Sequence, residues 1–428
     1  MFSSPEHGGK SLPVRGVAWD LWGDRFRDGG LALTMWFLPI TISLAELGVV
    51  LCLIGLLLAA AAHRRCPPRL GEEGWILAFA ACAVVAALAS PDRWARLEET
   101  HVLLWIGAGY AAAAAWGRTA DTAAAGPRPA LRAVPRSVES GWHAFAVAAG
   151  ALGVWLAITY SWAAWRHGTD LKLLGSMSDG QFFMVALLQV CAAFLWPGAS
   201  GAPARLGIVL APLLAAGLWI NLKRGSWISF AASFALQAWH RSRRAVLVVG
   251  AGMAALVVLL PASRARILDL RTDLDPQRGG RFGMWTRAAP ALIRDHPLGV
   301  GIGGTTEAVL RGYYPDLEPR RDHLHNNVLQ VTAETGWLGG LCWCGWMLAA
   351  GRRLWRSYRT FRRAGAAREA VWALFLATAF LALMCNGLIE YNFGDSEIAV
   401  LLYLIMGSGR ALDRRREGLR PPADAPPG

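Results

Sequence analysis

Charge is what this sequence is short of. Charged residues make up 17% of its 428 positions, against about 25% in soluble domains, while apolar residues make up 54%. With a mean hydropathy of +0.34, that balance excludes a chain of two or three water-soluble domains. Cysteine is scarce as well. Cys52, Cys66, Cys82, Cys191, Cys342, Cys344 and Cys385 fall almost entirely inside apolar runs, and Cys342 with Cys344 has no second pair to complete a zinc site. They read as small core hydrophobes. The first thirty residues lack a short apolar core followed by a small-residue cleavage site, so no cleaved signal peptide is expected. Acids are outnumbered too, 30 Asp and Glu against 43 Lys and Arg, a formal charge of +13. Such an excess suits nucleic acid, a membrane surface or an anionic substrate, and the position of the arginines decides between them.

What the chain has is long apolar runs. A bilayer-spanning helix needs about 20 such residues, and runs of that kind lie near 75–90, 101–117, 142–162, 181–197, 205–221, 226–239, 245–262, 327–350, 370–390 and 396–412. The block Leu31 to Ala62 is too long for one span and short for two, and Pro39 with the stretch from Ile42 to Glu46 can break it into a tight hairpin. Short cytoplasmic loops collect Lys and Arg. One assignment of sides places 23 Lys and Arg in segments 63–69, 118–141, 198–205, 240–244, 351–369 and the tail from 409, and 6 in the short loops opposite. That asymmetry orients the chain. The expected fold is all-α: a polytopic integral membrane protein of about twelve spans, a single transmembrane domain over 1–428 with both termini cytoplasmic. Residues 419–428 read as a disordered cytoplasmic tail.

One connection breaks the pattern. Residues 263–326 form a long polar segment on the outer side with ten Arg and no Lys, far beyond an ordinary helix connection. Long loops translocate whatever their charge, so topology does not account for the arginines. Function is expected here. Within it Trp285, Ala288, Ala289, Leu292 and Ile293 fall at helical spacing, which predicts an amphipathic helix at the membrane surface, punctuated by Arg281, Arg287 and Arg294. These arginines either solvate its polar face and touch lipid phosphates or bind a ligand. Gly299, Gly301 and Gly304 spell G-x-G-x-x-G, but without the flanking strand and helix of a dinucleotide site. They read as a turn that lets backbone approach a ligand or the membrane.

His323, His325, Asn326 and Asn327 close the loop. The nearest acids, Asp322 and Glu334, do not complete a metal set, so no metal is expected. The histidines are boundary residues or proton carriers, and imidazole suits a general base near neutral pH. Lys223 and Arg224 lie on the same outer face, against the positive-inside bias. They either snorkel to headgroups or pair with an anion held at the membrane, a task guanidinium performs by bidentate contact with phosphate oxygens.

Arg281-x3-Trp285, then Asp295-His296-Pro297-Leu298-Gly299-Val300-Gly301, then His325-Asn326 with Gly336 and Gly339 in the pattern H-N-x9-G-x-x-G, together with Arg224-Gly225-Ser226-Trp227, resemble the O-antigen ligase and polymerase superfamily over roughly 165–410. The resemblance implies a glycosyltransferase of the inner membrane, working on the periplasmic face without nucleotide sugar, metal or other cofactor. Its partners would be a glycan donor on undecaprenyl pyrophosphate, a lipid A-core acceptor and membrane lipids, with no nucleic acid. By the same resemblance His325 is the catalytic base of an inverting transfer and Arg224 and Arg281 bind the donor pyrophosphate. His323, Arg287, Lys223 and Lys172 are candidate supporting residues. In the segment from Lys172 to Phe183 the family often has Arg and Asn where this chain has Lys172 and Asp179-Gly180-Gln181, which ranks Lys172 below the arginines. A ligase is expected, with a polymerase of the same donor class as the rival and a lipid-linked glycan transporter as the second alternative.

Overall fold

The computed structural model describes residues 14–63, 69–117, 136–167, 176–196, 204–239, 241–270, 275, 280–317 and 321–417. The described residues are helical, with no strand among them. Lys172 and the tail 419–428 lie outside them.

The block at Leu31 to Ala62 is a hairpin. Helix α1 (Val14–Phe37) ends before Pro39, and α2 (Ile42–His63) begins after a turn in which Ile40 N and Thr41 N both donate to Phe37 O at 2.8 Å. Proline cannot continue the first helix without losing a hydrogen bond, so it sits at the corner. The two helices then pack backbone to backbone. A Cβ on Gly48 would lie 2.7 Å from Gly30 O, and one on Gly55 2.6 Å from Arg27 N. Small residues at such spacing let helices approach where lipid supplies no hydrophobic drive.

The chain continues through α3 (Glu73–Ala89), α4 (Arg93–Glu99), a 3₁₀ segment (Thr100–Ile106), α5 (Gly107–Gly117), α6 (Arg136–His167), α7 (Met177–Leu195), α8 (Ala204–Ile220), α9 (Arg224–Trp239), α10 (Arg243–Leu259) and α11 (Pro261–Leu268). Helix α12 runs over 281–295 and contains a π-helical turn at Met284–Ala288. The last helices are α13 (Glu307–Tyr313), α14 (Asn327–Arg363), α15 (Ala367–Asn386) and α16 (Ser396–Glu417). The core sits where α14, α15 and α16 meet α3, α5, α7 and α9.

Every expected apolar run lies on a helix or helix pair, yet the count of twelve spans is not reproduced. Among the described residues, four helices are long and apolar enough to cross a membrane: Ile42–Ala62, Val138–Ala163, Ser178–Leu195 and Ala367–Asn386. A fifth forms if α10 and α11, bent by 92° at Leu260 and Pro261, count as one. The rest fall short for physical reasons. Helix α3 is apolar but only 17 residues long, the run at 101–117 changes helix type midway, and α9 buries Ser226, Ser229, Ser233 and Gln237 along one face.

At one end of the bundle, ion pairs lock helices together. Arg353 donates to Glu72 at 2.6 Å and to Asp413 at 3.3 Å, joining α3, α14 and α16. Arg368 pairs with Glu139, which also accepts from Trp372 Nε1 at 3.1 Å. Arg353 and Arg368, read from sequence only as orienting charges, therefore also hold the packing. The connections before α9, α14 and α16 gather with the long segment after α10 at the other end, where the candidate site lies.

Candidate active site

The segment 297–304 is bound by its backbone to a kink in α14. Val300 N donates to Ala333 O at 3.0 Å, Gly301 N to Glu334 O at 2.9 Å, and Trp337 N to Pro297 O at 3.3 Å. The kink is Gly336, at φ +75°, and a Cβ there would collide with Pro297 O. Gly299, at φ +88°, has no room for one against Glu334 O, and a Cβ on Gly301 would lie 2.7 Å from Arg96 Cγ. The G-x-G-x-x-G string thus fits backbone against α14 and Arg96, in place of the ligand or membrane expected from sequence.

Helix α12 also packs inward. Met284, Ala288, Ala289, Leu292 and Ile293 are buried with Leu310, Tyr314 and Leu324 in a core belonging to the long segment itself. The apolar face predicted by the spacing is present, but it packs on protein and not on the membrane surface expected from sequence. Trp285 Nε1 donates to Leu324 O at 2.7 Å and so holds the chain leading to His325.

His325 is buried and adopts φ +51°. With Leu222 (φ +54°), just before Lys223, it is one of two non-glycine residues at positive φ among those described. Left-handed backbone costs a residue with a Cβ about 1–2 kcal/mol, and such strain is concentrated at functional positions. Two asparagines hold the turn. Asn326 caps α14 through its Oδ1, which accepts from Leu329 N at 3.0 Å, while its Nδ2 donates to Leu388 O at 2.8 Å. Asn327 N donates to Gly387 O at 2.6 Å, and its Oδ1 accepts from Asn392 N and Phe393 N. The α15–α16 turn is thereby clasped against the start of α14.

That clasp delivers Glu390. His325 Nδ1 lies 3.1 Å from Glu390 Oε2, and Glu390 Oε1 accepts from Arg281 Nη2 at 2.7 Å. Arg281 Nη1 donates to Ile389 O at 2.6 Å, whereas its buried Nε has no protein acceptor. On the other ring nitrogen, His325 Nε2 lies 2.9 Å from Arg321 Nη1. The His323 ring is 4.1 Å from that of His325, and its Nδ1 is 2.7 Å from Asp322 Oδ1.

Electrostatics follow from this crowding. Burial lowers the His325 pKa to about 4, with His323 and Arg281 adding to it and Glu390 opposing. The ring is neutral at physiological pH, as a base must be. Burial alone would raise Glu390, but hydrogen bonding from His325 and the charge of Arg281 outweigh it and hold the carboxyl below its ordinary range. Burial lowers Lys223, whose charge is felt by Glu390, Arg266, Asp179 and Arg281.

The structure therefore brings together His325, Arg281 and His323, with Lys223 within electrostatic range. Arg224 is adjacent: its Nη1 donates to Arg266 O at 2.7 Å, while Gly225 packs beside Asn386 and Ile389. Arg287 lies over the Tyr314 ring at 5.8 Å in the core of the long segment, and Arg294 pairs with Asp295 at an exposed position. Glu390 and Arg321 were not anticipated. The signal for Glu390 is a carboxylate at the end of the apolar run 370–390.

Beside Glu390 opens a cavity of about 440 Å³ whose lining includes His323, Glu334, Tyr391 and Asp395. Among the described residues no group of three or more His, Cys, Asp or Glu is arranged to hold a metal ion. No curated protein matches the chain. Residues 208–344 match the family model described as O-antigen ligase. Arg224, Arg281, His325, Gly336 and Gly339 fall inside that match, so over these residues the chain is similar to the O-antigen ligase family.

Proposed function

We propose that the protein is an O-antigen ligase of the bacterial inner membrane, transferring a glycan from undecaprenyl pyrophosphate to a sugar hydroxyl of lipid A-core on the periplasmic face. The carrying observation is His325, neutral and buried between Glu390 and Arg321, inside the matched segment. Glu390 fixes the tautomer with the proton on Nδ1, which leaves Nε2 as the basic nitrogen. The acceptor hydroxyl takes the place of Arg321 at Nε2 and gives up its proton as its oxygen attacks the anomeric carbon. The bond to the pyrophosphate breaks on the opposite side, inverting the configuration. Arg281, Lys223 and Arg224 carry the charge that develops on the leaving group, in the manner of fixed cations around a phosphoryl oxygen. His323 positions the His325 ring, Arg287 supports the fold of the long segment, and Lys172 adds charge on the preceding outer loop.

The topology that serves this reaction is about twelve spans with both termini cytoplasmic, the segment 263–326 being periplasmic within one transmembrane domain. The deciding experiment is reconstitution of the purified chain with lipid-linked donor and two acceptors, lipid A-core and a second carrier-linked glycan. Transfer to lipid A-core supports the ligase, and transfer only to the carrier-linked glycan identifies a polymerase. Movement of lipid-linked glycan across liposomes with no glycosidic bond formed would make it a transporter.

A further inference from the structure

Arg241, just after α9, and Arg362, in the last turn of α14, belong to the basic loops that orient the chain in sequence. Among the described residues neither pairs with a carboxylate. Arg241 Nε donates to Leu195 O at 3.0 Å, and Arg362 Nη1 donates to the Tyr358 hydroxyl at 3.4 Å. Arg353 and Arg368, from the same end of the bundle, are by contrast held in ion pairs. Arg241 and Arg362 line a cavity of about 200 Å³ between the ends of α7, α9 and α14 and the start of α15, and no Asp or Glu lines it. The lining is exposed at Arg241, Arg362 and Ala367 but buried and apolar at Ala370, Val371 and Leu374.

We propose that this cavity holds the headgroup of an anionic glycerophospholipid, drawn from the leaflet on the far side of the membrane from the candidate active site. The inference is independent of the transferase reading. Two guanidinium groups with no carboxylate to balance them suit a phosphodiester, whose oxygens accept from paired N–H donors. The first turn of α15 adds to this, because Ala366 supplies no side-chain cap to its N–H groups. A free phosphate needs only the cations, whereas Ala370, Val371 and Leu374 offer apolar contact to a glycerol backbone and the start of an acyl chain. The volume lies below the range of about 300–1,000 Å³ that encloses a whole drug-sized ligand. It therefore suits one end of a molecule whose tails stay outside. Depth agrees as well. At about 1.5 Å per residue Tyr358 stands about 45 Å along α14 from Asn327, which adjoins the site. A bilayer measures about 40–45 Å with its headgroups, so the cavity falls at the opposite headgroup layer. Trp196 and Tyr358 line it, and Arg243 lies over the nearby Trp239 ring at 5.2 Å. Trp and Tyr gather at that depth. On the proposed topology this is the cytoplasmic side, where basic pockets between spanning helices take anionic headgroups.

The test uses the full-length protein in a neutral detergent, with native mass spectrometry to count retained lipid and thermal melts to read stabilisation. Dioleoylphosphatidylglycerol should be retained and should raise Tm, and it should displace dioleoylphosphatidylcholine, which has the same tails and no net charge. Glycerophosphate and inorganic phosphate, which lack tails, should do neither at the same concentration. Arg241→Gln combined with Arg362→Gln should weaken retention of phosphatidylglycerol by about tenfold or more, with the lipid-free Tm near that of the parent. Ala367→Glu keeps both arginines but sets a carboxylate in the lining, at a helix start where an acid favours folding. It should lose phosphatidylglycerol to a similar extent. Arg244→Gln, at an exposed position outside the cavity, should bind as the parent does. Equal retention of the two lipids, undiminished phosphatidylglycerol in the double variant or in Ala367→Glu, or an equal loss in Arg244→Gln would overturn the proposal. Binding of inorganic phosphate as tight as that of phosphatidylglycerol would overturn it too, by making the cavity an ion site with no use for a lipid tail.

Discussion

His325 and Glu390, 65 residues apart in the chain, meet with Nδ1 3.1 Å from Oε2. The first prediction concerns that pair. His325→Ala should abolish transfer, and Glu390→Gln should lower kcat by about ten- to a hundredfold, less than the factor of about 10²–10⁴ attributed to a general base itself. Donor KM should move little in Glu390→Gln, whereas a purely structural role would lower the melting temperature in step with activity. Steady-state kinetics with thermal melts decide.

Acid sensitivity follows from the lowered pKa of His325, about 4 when folded against 6.5 for a free imidazole. Between those values the unfolded chain binds the proton and the folded chain does not, so stability is lost as pH falls from about 6.5 to about 4. Glu390, held below its ordinary range, adds to the loss further down as it protonates. Melting temperature against pH should therefore fall less steeply from pH 6.5 to 4.5 in His325→Ala than in the parent. The acid limb of kcat/KM in the parent should lie well below pH 6. A limb at 6.5 would contradict a buried neutral base.

Arg321 sits 2.9 Å from His325 Nε2, and a cation there opposes protonation of the ring. Arg321→Gln should move the acid limb of the pH profile upward toward the ordinary histidine range. An unmoved limb would show that the contact has no part in setting the base.

Arg281 joins Glu390 and Ile389 O, and its buried Nε is left without a protein acceptor. Arg281→Lys keeps charge but loses the planar fork, so both kcat and donor KM should suffer, by about tenfold or more. Charge supplied by side chains also predicts transfer that survives EDTA; strict dependence on added Mg²⁺ would contradict this mechanism.

Gly336→Ala puts a Cβ at φ +75° against Pro297 O. The strain alone is about 1–2 kcal/mol, and the collision must displace the 297–304 segment as well. A lowered melting temperature with loss of activity is expected, while Gly312→Ala, with no neighbour within 4 Å of its Cβ, should be tolerated.

Much of this was legible in sequence because it is local. Apolar runs marked the helices, Pro39 the hairpin corner, and the H-N pair the entrance to α14. The period of α12 was legible too, but the face's partner was not, since Leu310, Tyr314 and Leu324 reach it only through tertiary folding. Glu390 and Arg321 escaped for the same reason: no spacing rule links a carboxylate after α15 to a histidine before α14. The span count is not confirmed by the described helices alone, because composition does not reveal a 3₁₀ segment at 100–106 or a 92° bend after α10.

The clasp made by Asn326 and Asn327 gives the site a mechanical sensitivity. Its base hangs from the start of α14 and the carboxylate that aligns it hangs from the end of α15, so a slip of one helix along the other by a fraction of a turn would part them. Substitutions deep between α14 and α15, far from any substrate, should then register first as a change in the protonation of His325, making that ring a gauge of how the two helices are seated.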